Sequence, residues 1–494
     1  MSNIRVRIAP SPTGNLHVGT ARAALFNYLF AKHHGGTFIL RIEDTDLERS
    51  DKKYEQNIFE GLQWLGIDPD EGPEQGGLYG PYRQTERTAK YEEYIQRLLD
   101  AGKAFYCFHG EGEMRETQPA AYAPHRCDEY RNLTHDEGQA IKEAKDKEYG
   151  KNTGQYVIRF KTPIGEKIMF TDMVREELSF DSNLLGDFAI AKDTTIPLYH
   201  LAVVVDDIEM KISHVIRGED HIPNTPKHVL LFRAFGVEPP HFAHLPLILG
   251  PDRSKLSKRH GAMSVTDYRE QGYLPEALFN FLALLGWNPG DDREILTKDE
   301  LIAAFSLEKV QKSGAIFDFQ KLDWMNGEYI RRKPLSELAE LATPFLEKSG
   351  LLQFSIFNFQ FSKKEYIERI IALEQSRLKK LSEIGERVEY FFKPPVYAKE
   401  LLHWKNMGDA ELLASLERAE KIIGELEQDS SREVIEKTFL DAIGEGDKGS
   451  LLWPLRVALS GKKASPGPFE IMAILGIEES LKRIKAAQAA LTVD

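Results

Sequence analysis

The first forty-six residues alternate between two hydrophobic periods. "IRVRIA" (4–9) is rich in β-branched residues and reads as a strand, while "ARAALFNYLFAKHHGG" (21–36) repeats apolar residues at helical spacing, with Leu25, Phe26, Leu29 and Phe30 on one face. Gly35 and Gly36 close that helix as a C-terminal glycine does. "TFILRIEDTD" (37–46) supplies a second apolar strand ending in carboxylates. The pattern predicts one β-α-β unit with parallel strands and a right-handed crossover. Between strand and helix lies "PSPTGNLHVGT" (10–20), which places His17 at the helix N-terminus, where free N–H groups and a partial positive charge receive ligands.

Further along, the texture changes at "GGLYGPYRQTER". Residues 1–82 read as the first half of an α/β domain and 83–195 as an insertion. The insertion holds a helix at "RTAKYEEYIQRLLDAG", a charged segment "THDEGQAIKEAKDKEYG" and the strand-like "QYVIRFKTP". "LYHLAVVVDDIEMKISHVIRGEDHI" (198–222) is expected to return long apolar strands, so 196–260 reads as the second half of the sheet. After "LILGPDRSKLSKRHG" the chain turns helical, "LPEALFNFLALLGW" being an amphipathic example. "YFFKPP" and "KKASPGPF" are its clearest breaks, and "ERAEKIIGELEQDSSREVIEK" reads as solvated helix surface.

At 494 residues, two to four domains are expected, and 42% hydrophobic with 29% charged residues is an ordinary globular composition. The expectation is a cytoplasmic protein: no apolar run is long enough for a membrane span, no signal peptide is visible, and Cys107 and Cys127 are the only cysteines. A net charge of −13 argues against indiscriminate nucleic-acid binding and leaves room for a local basic patch.

No "GxxxxGK[ST]" loop occurs. Instead "GPDRSKLSKRHG" crowds Arg253, Lys255, Lys258, Arg259 and His260 into eight residues, enough cation to oppose a triphosphate. Alone, the cluster reads as a solvated basic loop and His17 as a surface or capping histidine. Together they suggest one phosphate-binding crevice.

The two segments carry a family likeness. "PSPTGNLHVG" with "KLSKR" resembles the signature pair of class I aminoacyl-tRNA synthetases, whose usual first motif is histidine, isoleucine, glycine, histidine, against His17, Val18, Gly19 and Thr20 here. "RIAPSPTG", "LFNYLFAKHHGGTFILRIEDTD", "GPYRQTER", "VIRGEDHIPNTPKHVLLFRAFG", "KLSKRHG", "FDFQKLDWMNG" and "SPGPFEI" are similar, in order, to bacterial-type glutamyl-tRNA synthetases. The resemblance runs from residue 5 nearly to the end. It implies an α/β plus all-α chain: a Rossmann-type parallel-sheet catalytic domain with an acceptor-binding insertion, a helical stem-contact region (261–330) and an α-helical anticodon-binding domain (331–494).

It also implies the reaction. Glutamate attacks the α-phosphate of ATP, giving glutamyl-adenylate and pyrophosphate, and then passes to the terminal ribose of tRNA(Glu). Members of this subgroup need bound tRNA first. Because in-line attack builds charge on phosphoryl oxygens, the protein's task is positioning and electrostatic stabilisation. By resemblance His17, Lys255, Lys258 and Arg259 are catalytic; Pro10, Thr13, Gly14, His17, Gly19 and Lys258 hold ATP, with Mg²⁺ arriving on the nucleotide. Arg7, Ala9, Ser11, Glu43, Tyr199 and Arg217 hold L-glutamate. Read alone, Arg7 and Arg217 would equally suit strand-end ion pairs. Val203 stands where the family often has asparagine, a departure in the polar half of that pocket.

Some members hold structural zinc in the insertion. Here Cys107-x-His109 and His125-x-Cys127 offer two thiols and two imidazoles, a candidate tetrahedral Zn²⁺ set beside the plainer reading of buried cysteine and histidine. Arg377 lies near where some members read the third anticodon base. The expectation is a monomeric glutamate–tRNA ligase, with two alternatives: a version that also charges tRNA(Gln), or a silent tRNA-binding paralogue, against which the intact "KLSKR" and His17 speak. The helical C-terminal region disfavours two shorter relatives, one glutamylating a modified tRNA base and one a simple adenylyltransferase.

Overall fold

A computed structural model describes residues 4–109, 126–150, 154–257, 259, 261, 263–353 and 361–492. Strand β1 (Arg5–Ile8) pairs parallel with β2 (Thr37–Leu40) in the register Arg5↔Thr37 to Ile8↔Leu40, and helix α1 (Val18–His33) connects them. The periodicity put only one face of α1 in the core. In the structure it is buried on nearly every side from Val18 to Ala31, and Phe26 meets Phe305 edge to face at 5.3 Å. A helix covered all round carries no apolar stripe to locate its faces. Gly35 (φ +63°) takes the left-handed conformation that ends it.

Helix α2 (Lys52–Trp64) follows, capped by Asp51, whose carboxylate accepts from Lys53 N. Within 83–195, α3 (Thr88–Asp100) leads to β3 (Ala104–Cys107), α4 (His135–Tyr149), β4 (Val157–Phe160), β5 (Lys167–Asp172), β6 (Glu176–Asp181), β7 (Ala189–Asp193) and β8 (Ile196–Pro197). Strands β3, β4, β7 and β8 form an antiparallel sheet of their own. The β5–β6 hairpin does not stay apart. It extends the catalytic sheet, with Asp172 paired parallel to Phe242.

The apolar run at 198–222 is mostly not strand. Tyr199–Glu209 is helix α5, and only β9 (His214–Gly218) is extended. Leu201 through Ile208 are all buried, and a short apolar run with three valines gives the same signal for a covered helix as for a central strand. Helix α6 (Thr225–Ala234) then leads to β10 (His241–Leu245), parallel to β9 with Arg217 opposite His244. Ser213 N donates to Arg5 O at 2.9 Å, which brings β9 alongside β1 and sets both carboxyl ends at one edge.

The chain divides into two compact units, Met1–Tyr268 with Leu278–Phe319, and Arg269–Ala277 with Gln320–Asp494. The segment 261–330 is thus shared between them. The second unit is helical, from Leu335–Lys348 to Ile477–Thr492, around a core that includes Tyr366, Phe391, Phe392, Leu416 and Phe439. Tyr366 donates its hydroxyl to Phe391 O at 2.6 Å, so the buried phenol is satisfied. Among the described residues no helix is long and apolar enough to cross a membrane.

Gly272 joins two parts of this second unit: Leu381 N donates to its carbonyl at 2.9 Å, and it holds φ +80°. A Cβ there would meet Ser382 N at 2.5 Å and Leu381 N at 2.7 Å. Gly272→Ala should therefore cost about 1–3 kcal/mol, lowering the thermal midpoint followed by circular dichroism.

Candidate active site

The carboxyl ends of β1, β2 and β9 open on a cavity of about 720 Å³. Its wall takes Arg7 and Ala9 from the end of β1, then Pro10 and Ser11 from the loop. His17 and Gly19 at the start of α1, Glu43 beyond β2, Tyr199 and Val203 of α5, and Arg217 complete the near side. Lys255, Leu256 and Ser257 lie across from them, so the basic loop and the histidine loop do share one crevice. Backbone pairing fixes this: Val265 N donates to Leu16 O at 2.9 Å, and Leu256 N to Ile248 O at 2.9 Å. Thr13, Gly14 and Arg259 are not on the cavity wall; Arg259 Nη2 instead donates to Ser254 Oγ at 3.3 Å. Lys258, His260 and His125 lie outside the described residues.

The side chains at the two ends of the cavity are held differently. His17 is the exposed N-cap of α1 and makes no capping bond with its ring. Lys255 Nζ lies 3.4 Å from Asp220, both exposed, a pair of little energetic weight. Arg7 is clamped by Asp207 through Nε to Oδ1 at 3.1 Å and Nη2 to Oδ2 at 3.2 Å. Asp207 also accepts from Arg41 at 2.7 Å; Arg41 donates to Glu43 Oε1 at 3.1 Å and lies 3.5 Å from Asp206. Asp206 in turn takes Arg87 at 2.6 Å, with Tyr91 and Gln84, from the start of the insertion.

Burial disfavours the Arg41 charge, but Asp207, Asp206 and Glu43 outweigh it and raise its pKa. Asp207 is held below the usual carboxylate range because Arg7 and Arg41 overcome its desolvation. Glu43 is pushed upward by burial, which its two arginines only partly offset.

Arg217 differs. Its Nε, Nη1 and Nη2 donate to His244 Nε2 (3.2 Å), His228 Nδ1 (3.3 Å) and Thr225 Oγ1 (2.8 Å), and among the described residues no carboxylate pairs with it. Burial lowers it to about 10, which leaves it charged at neutral pH. Tyr199 OH lies 3.0 Å from His221 Nδ1, and burial pushes the phenol up to about 12. Sequence reasoning missed Arg41, Asp206, Asp207 and His244. The adjacent acids closing the "VVVDD" run were the available signal, since carboxylates in a buried run need cationic partners.

The comparisons with known proteins give the family of the chain. Residues 3–324 match the family of class I tRNA synthetases (E and Q), catalytic domain, and residues 337–488 match an anticodon binding domain. A glutamate–tRNA ligase from Carboxydothermus hydrogenoformans is 46% identical, covering 97% of this chain and 99% of that protein. The chain belongs to the class I glutamate–tRNA ligases. Another relative, glutamate–tRNA ligase 1 from Caldicellulosiruptor saccharolyticus, is also 46% identical over 98% of both chains. The crystal structure of a glutamate tRNA ligase from Elizabethkingia meningosepticum, in complex with its amino acid, superposes with a TM-score of 0.86 at 35% identity, covering 99% of this chain and all of that one.

In this ligase the insertion also gathers metal-type donors. Cys107 Sγ, Cys127 Sγ and His109 Nδ1 stand 3.7, 3.6 and 3.5 Å from one another. Ligands on a tetrahedral zinc, with Zn–S about 2.3 Å and Zn–N about 2.0 Å, stand at roughly such spacings. His109 Nε2 faces the Glu129 carboxylate at 3.3 Å, which leaves Nδ1 turned toward the two thiols. Without a cation the Cys127 thiol is pushed up by its hydrogen bond to Cys107 and by burial. Arg377 in the helical unit donates to buried Glu374 at 3.1 Å.

Replacing Asp207 by asparagine leaves Arg7 and Arg41 beside a neutral group. The loss should be about 3–5 kcal/mol, measured by denaturant unfolding. A depressed carboxylate stabilises above its unfolded pKa of about 3.9, and the contribution disappears as pH falls through the lower folded value. Asp207→Asn should therefore flatten the acid limb of stability against pH.

Proposed function

We propose that the cavity holds both substrates of glutamate activation, L-glutamate at the Arg7–Arg217 end and ATP at the His17–Lys255 end, and that glutamate then passes to the 3′-terminal ribose of tRNA(Glu). The observation that carries this is the charge at the glutamate end. Arg7, Arg41 and Arg87 face Glu43, Asp206 and Asp207, cation for anion, while Arg217 keeps an unpaired charge. Free glutamate carries one net negative charge and balances it. Glutamine carries none and leaves a buried guanidinium uncompensated, which is costly.

Glu43 gives Oε1 to Arg41 and offers Oε2 to the substrate ammonium, and Tyr199 and Ser11 border the same end. Val203 contributes only apolar surface, so the arginines and Tyr199 carry the recognition of both carboxylates. At the other end His17 donates to a phosphate from the N-terminus of α1, where the backbone N–H groups also point at the anion. Lys255, with Lys258 and Arg259 of the same loop, stabilises charge on the phosphoryl oxygens and on the departing pyrophosphate. Thr13 and Gly14 shape the loop that borders the nucleotide. Mg²⁺ accompanies ATP and supplies further charge neutralisation there.

Residues 83–195 receive the acceptor end, 261–330 contact the stem and 331–494 the anticodon, with Arg377 at that surface. The enzyme works as a cytoplasmic monomer. Aminoacylation with radiolabelled glutamate, ATP and transcripts of tRNA(Glu) and tRNA(Gln) tests the reading. Charging of tRNA(Glu) alone is expected, charging of both would show the broader enzyme, and charging of neither beside an active control would overturn the assignment.

The donor geometry at Cys107, His109 and Cys127 supports one structural Zn²⁺, with His125 as the fourth ligand. Elemental analysis by plasma mass spectrometry should find about one zinc per chain and almost none in Cys107→Ser. Equal metal in both proteins would leave only two buried thiols beside an imidazole.

A further inference from the structure

The three groups that hold Arg217 are all neutral acceptors, and one of them is itself held by a carboxylate from the β5–β6 hairpin that extends the sheet. Asp172, the last residue of β5, lies wholly buried against His244, with Oδ2 at 2.6 Å from Nδ1. It also accepts from the backbone N–H groups of His244, Val174 and Arg175. Those bonds favour its ionised form over the penalty of burial, and its pKa is lowered. Burial lowers His244 against the opposing hydrogen bond to Asp172, and Arg217 Nε, which only donates, meets Nε2 as an acceptor, so the ring carries a single N–H.

A carboxylate only accepts, so the single N–H of a neutral His244 must sit on Nδ1. The lone pair is then on Nε2, 3.2 Å from Arg217 Nε. The opposite tautomer would set an N–H against the guanidinium, which only donates. On the far side, the same logic leaves His228 Nδ1 unprotonated toward Arg217 and directs its Nε2–H to His200 Nδ1 at 3.2 Å.

We propose that Asp172 and His244 are positioning residues for glutamate activation: Asp172 fixes the His244 tautomer, and His244 aims the Arg217 guanidinium at a substrate carboxylate without neutralising it. A carboxylate in the place of His244 would hold the arginine as firmly and cancel the charge that binds substrate. An imidazole locked by a carboxylate one step further away supplies the acceptor and keeps that cancelling charge at a distance. The device spans two parts of the fold, because Asp172 comes from the hairpin of segment 83–195 and His244 from β10. The inference rests on the reading of Arg217 as a ligand for glutamate.

Two near-isosteres separate the roles. Glutamine places its carbonyl oxygen near the position of Nε2 and can accept from Arg217; asparagine places its polar atoms near Nδ1 and reaches only Asp172. In tRNA-dependent ATP–pyrophosphate exchange, His244→Asn should raise KM for glutamate about tenfold, with KM for ATP unchanged, and His244→Gln should stay within about threefold of the parent. In an Arg217→Gln background, His244→Asn should add nothing further. Thermal unfolding of each variant separates loss of folding from loss of aim. Equal effects of His244→Asn and His244→Gln, a parallel rise in KM for ATP, or an undiminished effect without Arg217 would each overturn the proposal. An Arg217→Gln enzyme with unchanged KM for glutamate would instead overturn the reading of Arg217 on which it stands.

Discussion

Arg41 is the fully buried cation on which the catalytic half of the molecule turns. It sits just past β2 and meets Glu43 from its own strand end and Asp206 and Asp207 from α5. A guanidinium without water must have its charge matched in place. That requirement brings α5 against the strand ends, and the same two aspartates take Arg7 from β1 and Arg87 from the edge of the insertion. One electrostatic knot thereby fixes the sheet, the helix that walls the cavity and the helix that opens segment 83–195.

The site exploits the contrast between the two pocket arginines. Arg7 belongs to the knot and arrives with its charge largely matched, so it contributes direction more than field. Arg217 stands outside it among histidines and a threonine and contributes field. Both are buried strand-end residues of the same type. Their different electrostatic states come entirely from what packs behind them, carboxylates in one case and neutral rings in the other.

The β-α-β opening and the helical C-terminal half were legible in the residues, whereas the glutamate pocket was reached through the family likeness. Of His17, Glu43 and Arg217, only His17 followed from local signals, the glycines and prolines that open α1. Less legible were elements buried on both sides. Helix α5 looked like strand because a covered helix needs no polar face, and α1 looked one-sided for the same reason. The β5–β6 hairpin read as part of an insertion, since nothing local records that Asp172 will pair beside Phe242.

What the sequence determined by itself was chemistry in order: a histidine loop before a helix, a basic loop near residue 255, two arginines, and a cysteine-histidine set about twenty residues apart. Local propensity and motif spacing act over a few turns of chain, so they survive without the fold. Only the tertiary structure decided which charges meet. Arg7 finds Asp207 two hundred residues away, and His244 receives its proton assignment from Asp172, seventy-two residues earlier. Coulomb energy and hydrogen bonding depend on distance in space and on exclusion of water, and neither quantity exists along the chain until it folds.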